Sequence, residues 1–259
     1  FADGRIAEMI YRELAEQTSF VIIQDGEPIE VIELYVNEKN ELVVEPEKAI
    51  KVIVPTPADK GIVKKKFINF PNELGVSENP SNLHSAIKDF ITKYVELDDD
   101  FVSICASYVM FSWVYDKFQI APYLRVVGDY GTGKSRFLHT VGQLCYLAMS
   151  ASGSMSGPAL FRAVDMVSGT MIFDEADFQR SDLRSEMVKI LNAGYQSNSP
   201  VVRVNMSNDD FEPQSFIIFG PKILASREPF KDNALESRCL TQRLFLVENL
   251  DKPVLLNDQ

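Results

Sequence analysis

Residues 128–135 read Gly-Asp-Tyr-Gly-Thr-Gly-Lys-Ser, a complete match to GxxxxGK[ST], and no other stretch of the chain restricts its fold so tightly. Such a loop needs a strand feeding it and a helix leaving it. Leu124, Arg125, Val126 and Val127 form a β-prone run before it, and residues 136–149 carry Phe137, Leu138, Val141, Leu144, Cys145 and Ala148 at helical spacing after it. The glycines let backbone N–H groups of Gly128, Asp129, Tyr130, Gly131, Thr132 and Gly133 curl toward phosphate oxygens, and the helix start adds the positive end of its dipole. Lys134 then reaches the β and γ phosphates as a point charge, and the Ser135 hydroxyl takes one coordination position on Mg²⁺. The pattern predicts a nucleoside triphosphate site with ATP and Mg²⁺ as ligands. The competing reading is a glycine turn without a ligand, and the flanking strand and helix weigh against it.

A metal site of this kind needs carboxylates from a second strand. Residues 170–173, Thr-Met-Ile-Phe, run into Asp174 and Glu175, and Lys134 precedes Asp174 by 174 − 134 = 40 residues. The run reads as a buried strand that delivers both acids at its C-terminal edge, where open α/β sheets bind ligands. Asp174 is expected to hold Mg²⁺ through water, and Glu175 to polarise the attacking water. The plainer alternative is that the acids open the next loop and cap its helix. Asp174-Glu175-Ala176-Asp177 also spells a motif of helicases with two tandem nucleotide-binding domains, but 259 residues with a long N-terminal region leave too little chain for that.

Further along, residues 181–191 read as a helix stopped by Asn192, Ala193 and Gly194. Residues 201–204 and 214–219 read as two strands joined by the polar turn 207–210, residues 222–226 as another strand, and residues 240–247 as the last. This order of parts resembles the AAA+ ATPases. Within them it is similar to the branch with a β-hairpin before the first sensor, which includes superfamily III helicases and the primase-associated helicases of plasmids, viruses and integrated elements. The likeness rests on GDYGTGKS at 128–135, MIFDE at 171–175, the helix and hairpin at 190–204, ILAS at 223–226 and ALESR at 234–238, and it covers residues 83–247.

The resemblance implies a Mg²⁺-dependent, ATP-driven ring, a hexamer by family likeness, acting as a DNA helicase or translocase in replication of a mobile element or virus. It makes Ser226 the first sensor, where many relatives have Asn, and Arg238 an arginine finger acting in trans, with Arg227 as second candidate. A pore for single-stranded DNA would draw on Arg203 on the hairpin and Lys222 beside it, with Lys64, Lys65 and Lys66 as a further contact. Two other readings stay open: an ATP-driven switch or loader that assembles on DNA or protein without unwinding, and a scaffold that only binds nucleotide. Glu175 speaks against the scaffold, since hydrolysis needs it and binding does not. The small helical lid that usually follows the core has no counterpart after Val247.

The expected fold class is α/β: a P-loop core over 119–259 with a parallel sheet and a pre-sensor hairpin, preceded by a helical segment over 81–118 and an α+β module over 1–80. In the module, Ile6, Met9, Ile10 and Leu14 suggest an amphipathic helix, and residues 19–23 and 29–36 a hairpin. In the helical segment, Leu83, Ala86, Ile87, Phe90, Ile91, Tyr94 and Val95 form an apolar stripe behind a Ser81-Asn82 cap, and residues 101–115 are apolar nearly all round. That run is too short to span a membrane. The net charge is −11, of which −8 falls in residues 1–50 (4 basic, 12 acidic), which argues against broad cationic wrapping of nucleic acid but not against a local basic pore. Cys105, Cys145 and Cys239 are odd in number and set in apolar runs, the pattern of reduced core thiols in a cytoplasmic protein.

Overall fold

The computed structural model describes residues 1–24, 27–73, 75, 79–151, 155–174, 181–204, 213–246 and 252–253. The chain divides into two units, Phe1–Ser77 and Glu78–Gln259. In the first, β1 (Ala7–Arg12), β2 (Gln17–Gln24) and β3 (Glu27–Val31) form an antiparallel sheet. A second sheet of order β5-β4-β6 joins β4 (Leu34–Val36), β5 (Leu42–Val43) and β6 (Lys51–Ile53), and the one-turn helix α1 (Gly61–Lys64) follows. Ile22, Leu34, Val36 and Leu42 make their shared core.

The amphipathic helix expected near the start is therefore a strand. β1 pairs residue for residue with β2 from Ala7 opposite Ile22 to Arg12 opposite Gln17, and these partners outweigh a weak helical period. Leu14, which a helix would have buried, is fully exposed. The run 29–36 is also divided: β3 ends at Val31, and Leu34 opens the other sheet.

The second unit starts with α2 (Pro80–Tyr94) and α3 (Asp99–Ser112). The cap of α2 is Asn79 rather than Ser81 or Asn82: its side chain accepts from the Ser81 N–H at 2.9 Å, and Pro80 takes the first helical position, where an N–H has no partner to lose. Ile87, Ile91 and Val95 are buried, whereas Leu83 is exposed. Both helices share one core with Leu124, Val126, Phe137 and Val141, so the segment expected at 81–118 is built into the P-loop unit and does not stand apart.

Then come β7 (Tyr123–Val127), α4 (Lys134–Gly142), β8 (Met149–Ala151), α5 (Gly157–Val167), β9 (Met171–Asp174) and α6 (Ser181–Ala193). The hairpin β10 (Val201–Val204) and β11 (Pro213–Phe216) is antiparallel, and β12 (Lys222–Ser226), α7 (Asn233–Glu236) and β13 (Cys239–Arg243) complete the fold. Helix α4 is shorter than the apolar spacing to residue 149 suggests, because Gly142, a poor helix former, ends it and Met149 begins a strand instead. The tip of the hairpin, including 207–210, lies outside the described residues.

Five strands form one sheet in the order β13-β7-β12-β9-β8, and every pairing in it is parallel. All of β7 and β12 is buried, as a parallel sheet covered on both faces requires. A charge lies inside it. Arg125 on β7 has a fully buried side chain, donates to the Glu236 carboxylate of α7, reaches Thr241 Oγ1 of β13 at 3.1 Å through Nε, and stacks 4.8 Å from the Phe230 ring centre. Glu236 also accepts from the Phe230 N–H at 2.8 Å. This pair ties the strand before the P-loop to the segment after β12.

The Arg125 hydrogen bond holds the Glu236 carboxyl below its usual range. A depressed carboxyl pKa gives stability that is present above the unfolded value and lost as pH falls through the folded one. Glu236→Gln is expected to cost about 3 kcal/mol by leaving the Arg125 charge uncompensated, and to remove that share of the acid-side loss. Urea unfolding at neutral and acidic pH measures both; equal stability of the two proteins at neutral pH would refute the pair's role.

Candidate functional site

The sheet brings three strand ends level. Ser226 of β12 lies opposite Val127 of β7, and Ala225 lies opposite Asp174 of β9, so the strand with the expected sensor sits between the P-loop and the acidic strand. The Gly128 N–H donates to the Ser226 carbonyl at 3.1 Å, which fixes the start of the loop to that middle strand. Gly128 has a packing reason to be glycine: a Cβ there would stand 2.7 Å from the Leu244 carbonyl oxygen. Gly133 has a conformational one, since it caps α4 with φ of 88°.

From that cap, α4 carries Lys134 and Ser135 at its first positions. Lys134 Nζ donates to the Gly128 and Asp129 carbonyls at 2.7 and 2.6 Å, so the ammonium sits inside the loop's curl. The Ser135 hydroxyl donates to Asp174 Oδ2 at 3.1 Å, joining residues 39 apart in sequence. One hydroxyl and one carboxylate therefore meet beside the lysine and the helix N-terminus. Among the described residues no three His, Cys, Asp or Glu side chains form a metal cluster. A cation here would take two hard oxygen ligands from the protein and the rest from phosphates and water, a donor set that suits Mg²⁺.

Across the loop from Asp174 a cleft of about 310 Å³ opens. Its walls are Glu96, Leu97 and Asp98 from the α2–α3 connection, Gly131, Thr132 and Gly133 from the loop, Arg136 from α4, and Gln242, Arg243, Leu244 and Phe245 from the end of β13 and beyond. The size suits a small ligand's non-phosphate part. No motif announces these walls. They border the loop because β13 pairs with β7 and Leu244 N–H donates to the Val127 carbonyl at 2.7 Å.

The remaining candidates scatter. Ser226 is buried and its hydroxyl donates to the Glu228 carbonyl at 2.9 Å, into its own turn. Glu175 lies outside the described residues, and so does the side chain of Arg203, whose backbone pairs with Gln214. Lys64 and Lys66 form exposed ion pairs with Glu16 and Glu13. Arg238 stands at the N-terminal edge of the sheet, away from the loop. Its guanidinium donates to the Asn192 carbonyl at 2.8 Å and lies 5.0 Å from the Tyr195 ring centre, a cation at the C-terminal end of α6. Arg227, in contrast, is next to the P-loop of its own chain, with Nη1 3.0 Å from the Tyr130 hydroxyl. Burial raises the thiol pKa of Cys105, Cys145 and Cys239, which keeps them protonated and poor nucleophiles.

Lys222 is a correction. Expected as a surface cation for nucleic acid, it is 1% exposed, and its ammonium donates to the carbonyls of Ile218, Gly220 and Gly194 at 2.9, 3.0 and 3.4 Å. It also lies 5.3 Å from the Tyr123 ring centre. The side chain fastens the return from β11 to the end of α6. A lysine at the start of a central strand points into the layer below it, and sequence alone did not separate that from exposure.

No protein-family model and no curated protein sequence matches the chain. Among solved structures it is similar to a JCV helicase bound to a thiazolopyridine acetamide, with 13% identity over 69% of this chain and 47% of that one, at a TM-score of 0.42. A structure of JCV helicase alone gives 12% identity over 63% and 44% at 0.39, and an inhibitor-bound one 13% over 71% and 49% at 0.38. This chain thus spans less than half of each of them. Among the described residues no helix is long and apolar enough to cross a membrane.

Burial pulls the Lys222 ammonium down to about 7 from an ordinary 10.5. Between those values the unfolded chain holds a proton that the folded chain has released, so stability rises with pH across the window. Relative to Lys222→Met, the wild-type protein is expected to gain stability from pH 7 to pH 10, at up to about 1.4 kcal/mol per pH unit. Parallel denaturation curves of the two proteins over that range would refute it.

Proposed function

We propose that the larger unit is a Mg²⁺-dependent ATPase of AAA+ type, working as a ring and most simply as a DNA translocase or helicase. The observation that carries the nucleotide reading is the 3.1 Å contact between Ser135 and Asp174 at the start of the helix that bears Lys134. A hydroxyl and a carboxylate meet there next to the lysine at the start of the helix, a combination that suits a metal-chelated triphosphate. Lys134 and the loop bind and orient the phosphates. Ser135 and Asp174 hold the cation, which when bound neutralises charge on the phosphate oxygens. Glu175, next in sequence after Asp174, accepts the proton of the attacking water. The cleft between Asp98, Arg136 and Phe245 takes the nucleoside.

The translocase reading rests on the hairpin β10–β11, inserted between α6 and β12, with Val202 within β10 and Ile217 just after β11 both exposed. Arg203 is its remaining candidate for nucleic acid. Loss of Lys222 from the accessible cations favours the second reading, an ATP-driven switch or loader, because phosphate-backbone contacts need several cations acting together. In the ring reading Arg238 completes the neighbouring subunit's site.

Lys134→Ala is expected to abolish ATP binding, and Glu175→Gln to keep binding while turnover falls at least about a hundredfold, the scale of a lost general base. Isothermal titration and steady-state phosphate release measure these, and retained turnover in either variant would sink the assignment. Hydrolysis measured across protein concentration, with and without single-stranded DNA, decides between the readings. Steep concentration dependence with DNA stimulation supports the translocase, whereas flat, DNA-indifferent turnover supports the switch. Mixing Arg238→Ala with Lys134→Ala subunits should restore some turnover; no recovery in mixed assemblies would confine Arg238 to capping α6.

A further inference from the structure

The cleft beside the P-loop holds an amide whose oxygen has nothing to accept. Gln242 of β13 is one of the cleft walls, and its Oε1 atom is shielded from water with no hydrogen-bond donor on it among the described residues. A shielded acceptor left without a donor costs stability, so such an atom points to a partner that arrives from outside the chain. Three residues on, Phe245 is 72% exposed, and among the described residues it is the one aromatic ring in the cleft walls. We infer that these two residues form a nucleobase seat: Phe245 stacks on the base of the bound nucleotide and Gln242 Oε1 accepts from its exocyclic amine, so that the site takes adenine and discriminates against 6-keto purines.

The placement follows from the sheet. Gln242 is level with Val126 of β7, and in-register neighbours share a face of the sheet. Val126 lies in the core with Ile91 and Val95, so Gln242 stands on the side covered by α2, under the connection that supplies Glu96, Leu97 and Asp98 to the cleft. The residues on either side of Phe245 lie against the loop: a Cβ on Gly128 would be 2.7 Å from the Leu244 carbonyl oxygen, and one on Gly131 would be 3.6 Å from Leu246 Cδ1. The exposed ring therefore leaves the chain beside the P-loop, on the opposite side of the cleft from Glu96 and Asp98. An exposed aromatic gains by stacking, and every base has a π-face, so the ring holds a base without choosing it. The choice falls to the amide. Adenine offers an N–H donor from its 6-amine, whereas hypoxanthine and guanine carry a carbonyl oxygen there, which sets two acceptors against each other. A site that hydrogen-bonds a substrate group rejects the analogue lacking it more strongly than an apolar pocket does, because its own buried atom is left unpaired.

This rests on the nucleotide-site reading above, and the experiment separates the two. ADP and IDP, whose bases are adenine and hypoxanthine, are titrated calorimetrically into the whole chain with Mg²⁺, comparing wild type with Lys134→Ala, Gln242→Met, Gln242→Glu, Phe245→Ala and Phe245→Trp. Wild type is expected to bind ADP about tenfold more tightly than IDP, the scale of one buried hydrogen bond against an unpaired acceptor. Gln242→Met keeps the volume and removes the polar end, so it should erase that preference chiefly by weakening ADP. Gln242→Glu, which has acceptors alone, should keep the preference. Phe245→Ala should weaken both nucleotides by about tenfold with the preference intact, and Phe245→Trp should restore both. Equal affinity of wild type for ADP and IDP, a preference that survives in Gln242→Met or vanishes in Gln242→Glu, or unchanged binding in Phe245→Ala overturns the inference while the site itself stands. Wild-type protein that binds neither nucleotide, or Lys134→Ala that binds both normally, overturns the nucleotide-site reading and this inference with it.

Discussion

The pairing of β12 with both β7 and β9 is the constraint from which the rest of the larger unit follows. A parallel strand buried on both faces has no tolerance for a register slip, because a shift of one residue would turn every side chain to the opposite layer. With Ser226 level with Val127 and Ala225 level with Asp174, the loop after β7 and the acid ending β9 are held on either side of one rigid strand. Ser135 and Asp174 touch because that strand sets the gap between their elements, not because anything in the loop reaches for the acid. The α2–α3 pair closes one face of the sheet, and its connection becomes a wall of the cleft.

Two buried cations then fasten irregular segments to this frame, by different physics. Arg125 is compensated by a carboxylate, so it links β7 to α7 as an ion pair. Lys222 has three carbonyls and an aromatic face, and burial lowers its affinity for a proton. Arg125 reaches α7 and β13, and Lys222 reaches the segment between β11 and β12 and the residue after α6.

Legibility in the sequence tracked how local the determining physics is. The P-loop with its strand and helix, the strand ending at Asp174 and the hairpin strands were readable, because glycine spacing, apolar runs and turn residues carry them within a few positions. The first strand was not: Ile6, Met9, Ile10 and Leu14 mimic a helical period, and only pairing with residues 17–22 shows otherwise. Lys222 was misread for a related reason, since a cation at a strand end looks alike in either direction until the layer beneath it is known. The cleft walls at 96–98 and 242–245 and the Arg227–Tyr130 pair depend on the strand order, which no short motif spells.

Gly128 and Lys134 belong to one motif but answer to different demands. Gly128 is fixed by the Leu244 carbonyl, a neighbour present whatever the loop holds, so a descendant that had given up nucleotide would still need glycine there to keep its last strand closed. Among the described residues Lys134 donates to carbonyls of the loop itself, and it would drift freely in such a lineage. For relatives of this chain, the glycine therefore reports an intact sheet, and the lysine with Ser135 reports a working one.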